Sequence, residues 1–163
     1  MKIFLPIVFI FLNTPSFSQP DISGTWHGKV FDLQNTNIQD SVSITFKLSL
    51  GTDNKITGTC TSYYPGGFFG HTSIFGKFYK KKDGFYIQED KLLESNFRIK
   101  IATHYDRYDF AFEKNKTNEL TGTSICIKAM SMHVPCHGNL PITIRKDVSI
   151  EPVKQNSDST VSN

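Results

Sequence analysis

The amino-acid sequence predicts an all-β domain, an antiparallel up-and-down barrel of about eight strands. Three observations lead there. Apolar and polar residues alternate with a period of two in segment after segment; short turns rich in Gly, Asp and Asn separate these segments; and no long window carries helical periodicity. Such alternation gives each strand one apolar and one wet face, as in an antiparallel sheet. Short strands joined in sequence order close into a barrel or stack as a sandwich, and closure is favoured because it removes both exposed edges.

The chain opens MKIFLPIVFIFLNTPSFSQ. Lys2 is a minimal positive n-region, residues 3–12 are apolar, and Ser16-Phe17-Ser18 is a small-x-small cleavage signature. The apolar stretch is about ten residues long, far short of the roughly 20 that span hydrocarbon. The expected organisation is a signal peptide over residues 1–18, one barrel domain over 19–146 and a disordered polar tail over 147–163, in a protein that is secreted or periplasmic. A domain of that length buries about two-thirds of its unfolded surface and needs no staple to fold. Lys and Arg number 18 against 15 acidic residues, a net charge of +3 that falls to +2 without Lys2. So even a balance argues against nucleic acid or an anionic membrane surface as partner.

The first strand lies in ISGTWHGKVF, residues 22–31, which sets the only tryptophan, Trp26, between two glycines. In SVSITFKLSL (41–50), Val42, Ile44, Phe46, Leu48 and Leu50 share one face and Ser, Thr and Lys the other. Gly51-Thr52-Asp53-Asn54 is a turn by composition, and KITGTCTSYY resumes the pattern, so residues 41–64 read as a hairpin. A second hairpin combines SIFGKFYK (73–80), the turn Lys81-Lys82-Asp83-Gly84 and FYIQED (85–90). KLLESNF (91–97) has room for one helical turn. Residues 96–103 alternate Phe97, Ile99 and Ile101 against Arg98 and Lys100. Tyr108, Phe110 and Phe112 share a parity, and LPITIRK (140–146) ends the ordered part. DNKITGT (53–59) recurs 64 residues later as TNELTGT (117–123), matching Phe46 to Phe110 and Gly58 to Gly122. A duplicated hairpin and convergence on a favourable turn both account for the match.

Three cysteines, Cys60, Cys126 and Cys136, imply one disulfide and one leftover thiol in an oxidising compartment. Residues 119–128 and 137–146 read as a hairpin with Cys126 and Cys136 symmetric about residue 131, which makes Cys126–Cys136 the first expectation. Cys60–Cys126 stays open, because loop entropy gives about 3 kcal/mol for the first bridge and about 4 for the second. MSMHVPCHG (130–138) gathers His133, Cys136 and His137 but has no C-x-x-C pair and no clear fourth ligand, so no metal or cofactor is expected. Nucleophilic catalysis would need Cys60 or Cys136 beside His71, His104 or His137. General acid–base work would need two of Glu89, Asp90, Glu94 and Asp106. These acids read as solvated strand ends and Lys80-Lys81-Lys82 as a charged hairpin tip, so no enzyme activity is expected.

YYPGGFFGH, residues 63–71, sets Tyr63, Tyr64, Phe68 and Phe69 around a Pro-Gly-Gly turn. Exposed aromatic loops are costly unless they pack or bind something. At a barrel mouth they form a lid or stacking surface, with Phe46, Phe110 and Phe112 lining the interior and the small residues Gly58, Cys60, Gly122 and Ser124 leaving space. The expected function is non-catalytic binding of a small apolar or amphipathic ligand. The alternative is an extracellular or envelope module with a solid core that recognises a protein or glycan through loops 63–71 and 129–138.

Gly24-Thr25-Trp26 resembles the Gly-x-Trp motif that opens the first strand of lipocalins and related calycin barrels. The resemblance implies that Trp26 plugs the closed end and that a basic residue near the last strand, here Arg145, packs over its ring, contributing on the order of 0.5–2 kcal/mol. It extends over residues 22–146 as architecture. The chain also resembles small exported bacterial proteins with a GTW-x-G start, hairpins entering through TGT and a C-x-G-x-I-x-I/L-x-K-like final strand. Cys136 to Lys146 departs from that ending by a few inserted residues, and this second resemblance implies no known activity.

Overall fold

A computed structural model describes residues 20–30, 41–79, 81, 83–96, 104–113, 115–129 and 138–147. The expected signal peptide, the alternation over 97–103, the 130–137 cluster and the tail beyond 147 lie outside the described residues. Eight strands run in chain order: β1 (Gly24–Val30), β2 (Val42–Leu50), β3 (Lys55–Tyr64), β4 (Phe68–Phe78), β5 (Gly84–Ser95), β6 (His104–Ala111), β7 (Glu119–Ala129) and β8 (Leu140–Lys146). Each pairs antiparallel with the next, and β1 also pairs with β8 from Trp26↔Lys146 to Val30↔Ile142. The sheet is therefore a closed up-and-down barrel, and among the described residues no strand is left as an open edge.

Alternation sets the interior. Leu140, Ile142 and Ile144 of β8 are buried while the residues between them are not, and β2 buries Ile44, Phe46 and Leu48 in the same way. KLLES is strand, not helix: it forms the far half of β5. The alternation breaks there because β5 carries two extra residues. Ile74 faces Glu89 and Ser73 faces Lys91, skipping Asp90; Thr72 faces Leu92 and His71 faces Glu94, skipping Leu93. Each skipped residue is a β-bulge that changes which parity faces inward.

One end of the barrel, the floor, holds the β2–β3, β4–β5 and β6–β7 turns together with both ends of the strand array. Trp26 is 1% exposed here, and its indole Nε1 donates to the Ile22 carbonyl at 2.8 Å. The cation over its ring is Lys146, whose Nζ lies 5.6 Å from the ring centroid and donates to the Asp21 carbonyl at 3.2 Å. This corrects the assignment to Arg145. Ile144 is buried, so its neighbour Arg145 turns outward and pairs with Glu119 at 2.9 Å, while Lys146 returns to the inward parity. In the same lower half of the barrel, Phe46 packs edge-on to Phe110 at 6.1 Å, Phe85 lies 5.3 Å from Phe110, and Phe78 stacks on Phe112 at 5.9 Å. The lower barrel is thus filled by its own aromatic side chains.

The two TGT segments enter β3 and β7, as the repeat predicts, but the hairpins pair differently. Phe46 faces Cys60, whereas Phe110 faces Gly122 rather than Ser124. Inward parity survives this two-residue offset. At Gly58 a Cβ would lie 1.9 Å from the Lys47 carbonyl oxygen, and at Gly122 2.1 Å from that of Asp109. Glycine is needed at both positions because the neighbouring backbone comes so close.

Candidate functional site

The interior changes character toward the opposite end, the mouth, where the β3–β4 hairpin turns. Phe85, Ile87 and Glu89 share the inward parity of β5, and Asp106, Tyr108 and Phe110 that of β6. Each strand therefore replaces an apolar residue with a carboxyl as it rises. Glu89 is 6% exposed and Asp106 7%. Glu89 Oε2 accepts the backbone N–H of Asp106 at 3.1 Å, and Oε1 accepts the Tyr108 hydroxyl at 3.4 Å. Ser124, fully buried on β7, donates to Asp106 Oδ2 at 3.0 Å. Cys60 and Ser62 of β3, 3.8 Å apart at Sγ and Oγ, and Thr72 of β4, which donates to the Cys60 carbonyl at 3.5 Å, extend the polar lining into an arc over β3 to β7.

Irregular pairing places both acids. The Asp90 bulge directly follows Glu89, and on β7 Ile127 is the extra residue where Tyr105↔Lys128 gives way to Asp106↔Cys126. Bulges next to a side chain re-aim it, which is a recurrent device at functional sites.

Burial costs the charged form of a carboxyl, and a second carboxylate nearby adds repulsion. Both act on Glu89: burial first and Asp106 second push it up to about 7, against the lowering effect of the Asp106 N–H bond. Burial, then Glu89, push the Cys60 thiol and the phenols of Tyr64 and Tyr108 above their ordinary values. Cys60 is a free, buried thiol kept from its nucleophilic thiolate form. His71 lies across the wall, its Nδ1 2.8 Å from Thr61 Oγ1, so it does not meet Cys60. What this arrangement can do is hold a proton near neutrality and accept hydrogen bonds.

Glu89 and Asp106 therefore are not the solvated strand ends read from the sequence; Asp90, in mid-strand, and Glu94, near the end of β5, are the exposed acids. The missed signal was parity, since each buried acid sits two residues from buried aromatic or aliphatic neighbours. The aromatic hairpin is where it was expected. Tyr64 shares the inward parity of Ser62 and Cys60, whereas Tyr63, 52% exposed, packs 6.5 Å from Phe69 on the outer wall. Phe68 is 43% exposed opposite Tyr64. Phe46 and Phe110 are in the aromatic fill and Phe112 is at the floor, so these three do not join the hairpin rings at the mouth. His133, Cys136 and His137 lie outside the described residues, and among the described residues no three His, Cys, Asp or Glu side chains gather to hold a metal. Compared with protein-family models and with curated proteins, the chain matches none.

Proposed function

We propose that this chain is an exported, non-catalytic barrel of the calycin type that binds a small amphipathic ligand through its mouth. The observation that carries the reading is the two-tier interior: an aromatic fill in the lower half, then Glu89, Asp106 and Ser124 beneath the hairpin that bears Tyr64 and Phe68. A sealed floor and a polar upper tier suit a ligand that enters head first. Its head donates hydrogen bonds to the carboxyl groups and its apolar body stays against the mouth aromatics. The Gly-x-Trp start, the indole at the floor and the cation of Lys146 over it support the calycin assignment, and the N-terminal segment supports export. The same reading pairs Cys126 with Cys136, supported by the burial of Cys60 as a free thiol.

Nile red tests the proposal, being neutral and absorbing too far to the red to take energy from an indole. Saturable binding with Trp26 emission unchanged is the expected outcome. Dodecanol should displace the dye at lower concentration than dodecanoate, because Glu89 and Asp106 repel a carboxylate. Unsaturable binding overturns the proposal and favours an interaction module using the exposed Tyr63 and Phe68.

A further inference from the structure

On the outer wall below the β3–β4 turn, Thr61, Tyr63, Phe69, His71 and Glu94 line a recess of about 240 Å³. Pairing assembles it: Thr61↔His71 and Tyr63↔Phe69 are cross-strand neighbours, and the bulges of β5 bring Glu94 opposite His71. The rings of Tyr63 and Phe69 are tilted by 41° with centroids 6.5 Å apart, so one point lies within about 6 Å of both centroids, the range over which an aromatic face attracts a cation. Glu94 adds a carboxylate, and among the described residues no Lys or Arg lines the recess.

The recess is also held in shape. Asn96 accepts the Phe69 N–H at 2.7 Å through Oδ1 and donates from Nδ2 to the Gly67 carbonyl at 2.9 Å, tying the hairpin to the end of β5. His71 is anchored by its bond to Thr61. A backbone frame held in place before binding limits the freedom lost on capture of a ligand.

Two aromatic faces and a carboxylate recognise an organic cation. A methylated nitrogen fits better than a primary ammonium, whose strong hydration the rings cannot replace. We infer that this recess binds a quaternary ammonium head group, carried by a small soluble molecule or by a lipid. The site faces away from the interior and stands independently of the ligand proposed there.

Amide shifts of the isotope-labelled protein, titrated with choline chloride and with its neutral isostere 3,3-dimethylbutan-1-ol, test the inference. Expected are saturable shifts confined to residues 61–71 and 92–96, with choline binding about 5-fold or more tighter than the isostere. Tyr63→Leu and Glu94→Gln should each weaken choline about 2–5-fold. Both positions are exposed, and unchanged shifts elsewhere report an intact barrel. Glu89→Gln, which alters only the interior, should leave choline binding as it is. Sedimentation with phosphatidylcholine vesicles that choline reverses supports the inference with a lipid as source. Saturation by choline without vesicle binding supports it with a soluble ammonium. Equal binding of the two probes, shifts that do not saturate, or variants without effect overturn it.

Discussion

Glu89 ties the stability of the barrel to pH. In the folded chain its carboxyl releases its proton near 7, against an ordinary 4.5. The folded state therefore holds this proton over a range in which the unfolded chain has lost it. Stability from this group is complete below about pH 4.5 and is lost as pH rises through 7. The gap corresponds to on the order of 3 kcal/mol. Urea unfolding should show a lower midpoint at pH 8 than at pH 5, and Glu89→Gln should flatten that difference; an equal slope in the variant would assign it elsewhere. Asp53, Glu113 and Glu119, held below the ordinary range by hydrogen bonds from Lys55 or Lys116, act in the opposite direction and below pH 4.5, so the windows separate. Trp26 anchors the floor by packing, with Lys146 an accessory. Trp26→Ala should cost about 3–5 kcal/mol and Lys146→Gln no more than about 1, as read by chemical denaturation. Similar losses in the two variants would refute that ranking.

Strands were legible wherever one parity was apolar throughout. β2 and β8 are written that way in the sequence, and their buried residues are the ones alternation selects. β5 was legible only as far as Asp90, because a single extra residue flips the parity and erases the pattern. Glu89 was lost with it: its relation to Phe85 and Ile87 was in the sequence, but the adjoining Gln88 and Asp90 made the stretch look solvated. A basic residue near the last strand pointed to Arg145, but the burial of Ile144 turns its neighbour Arg145 outward and gives the inward parity to Lys146. The repeat in β3 and β7 matched the two glycines without fixing the pairing, and instead of leaving interior space both admit a close backbone approach. At Gly58 the obstacle to a side chain is the Lys47 carbonyl, whereas Gly67, at φ 79°, has nothing within 4 Å of a built Cβ. Gly58→Ala should therefore cost about 1–3 kcal/mol or more, and Gly67→Ala only about 1–2. The reverse order in thermal or urea unfolding would contradict this account of the close approach between β2 and β3.

For the whole molecule, closure gives the two ends unlike chemistry. Joining β1 to β8 brings the first and last strands together beside Trp26, so the floor is built from both ends of the strand array. Outside, Arg107 binds Asp109 through Nε and Nη2 and lies 4.3 Å over the Tyr86 ring, while the Tyr79 hydroxyl donates to the same carboxylate. That cluster links β5 and β6 to the residue following β4 across the wall. Inside, apolar fill yields to carboxyl groups toward the mouth. A titration of the Glu89 carboxyl carbon by NMR, in the free protein and with dodecanol bound, examines this interior where fold and function meet. The expected midpoint lies near 7 in the free protein and moves on binding, as the alcohol hydroxyl donates to the carboxyl and displaces water from it. A midpoint at the ordinary 4.5, or one that a saturably bound alcohol leaves unmoved, would contradict the proposed placement of the ligand against this carboxyl.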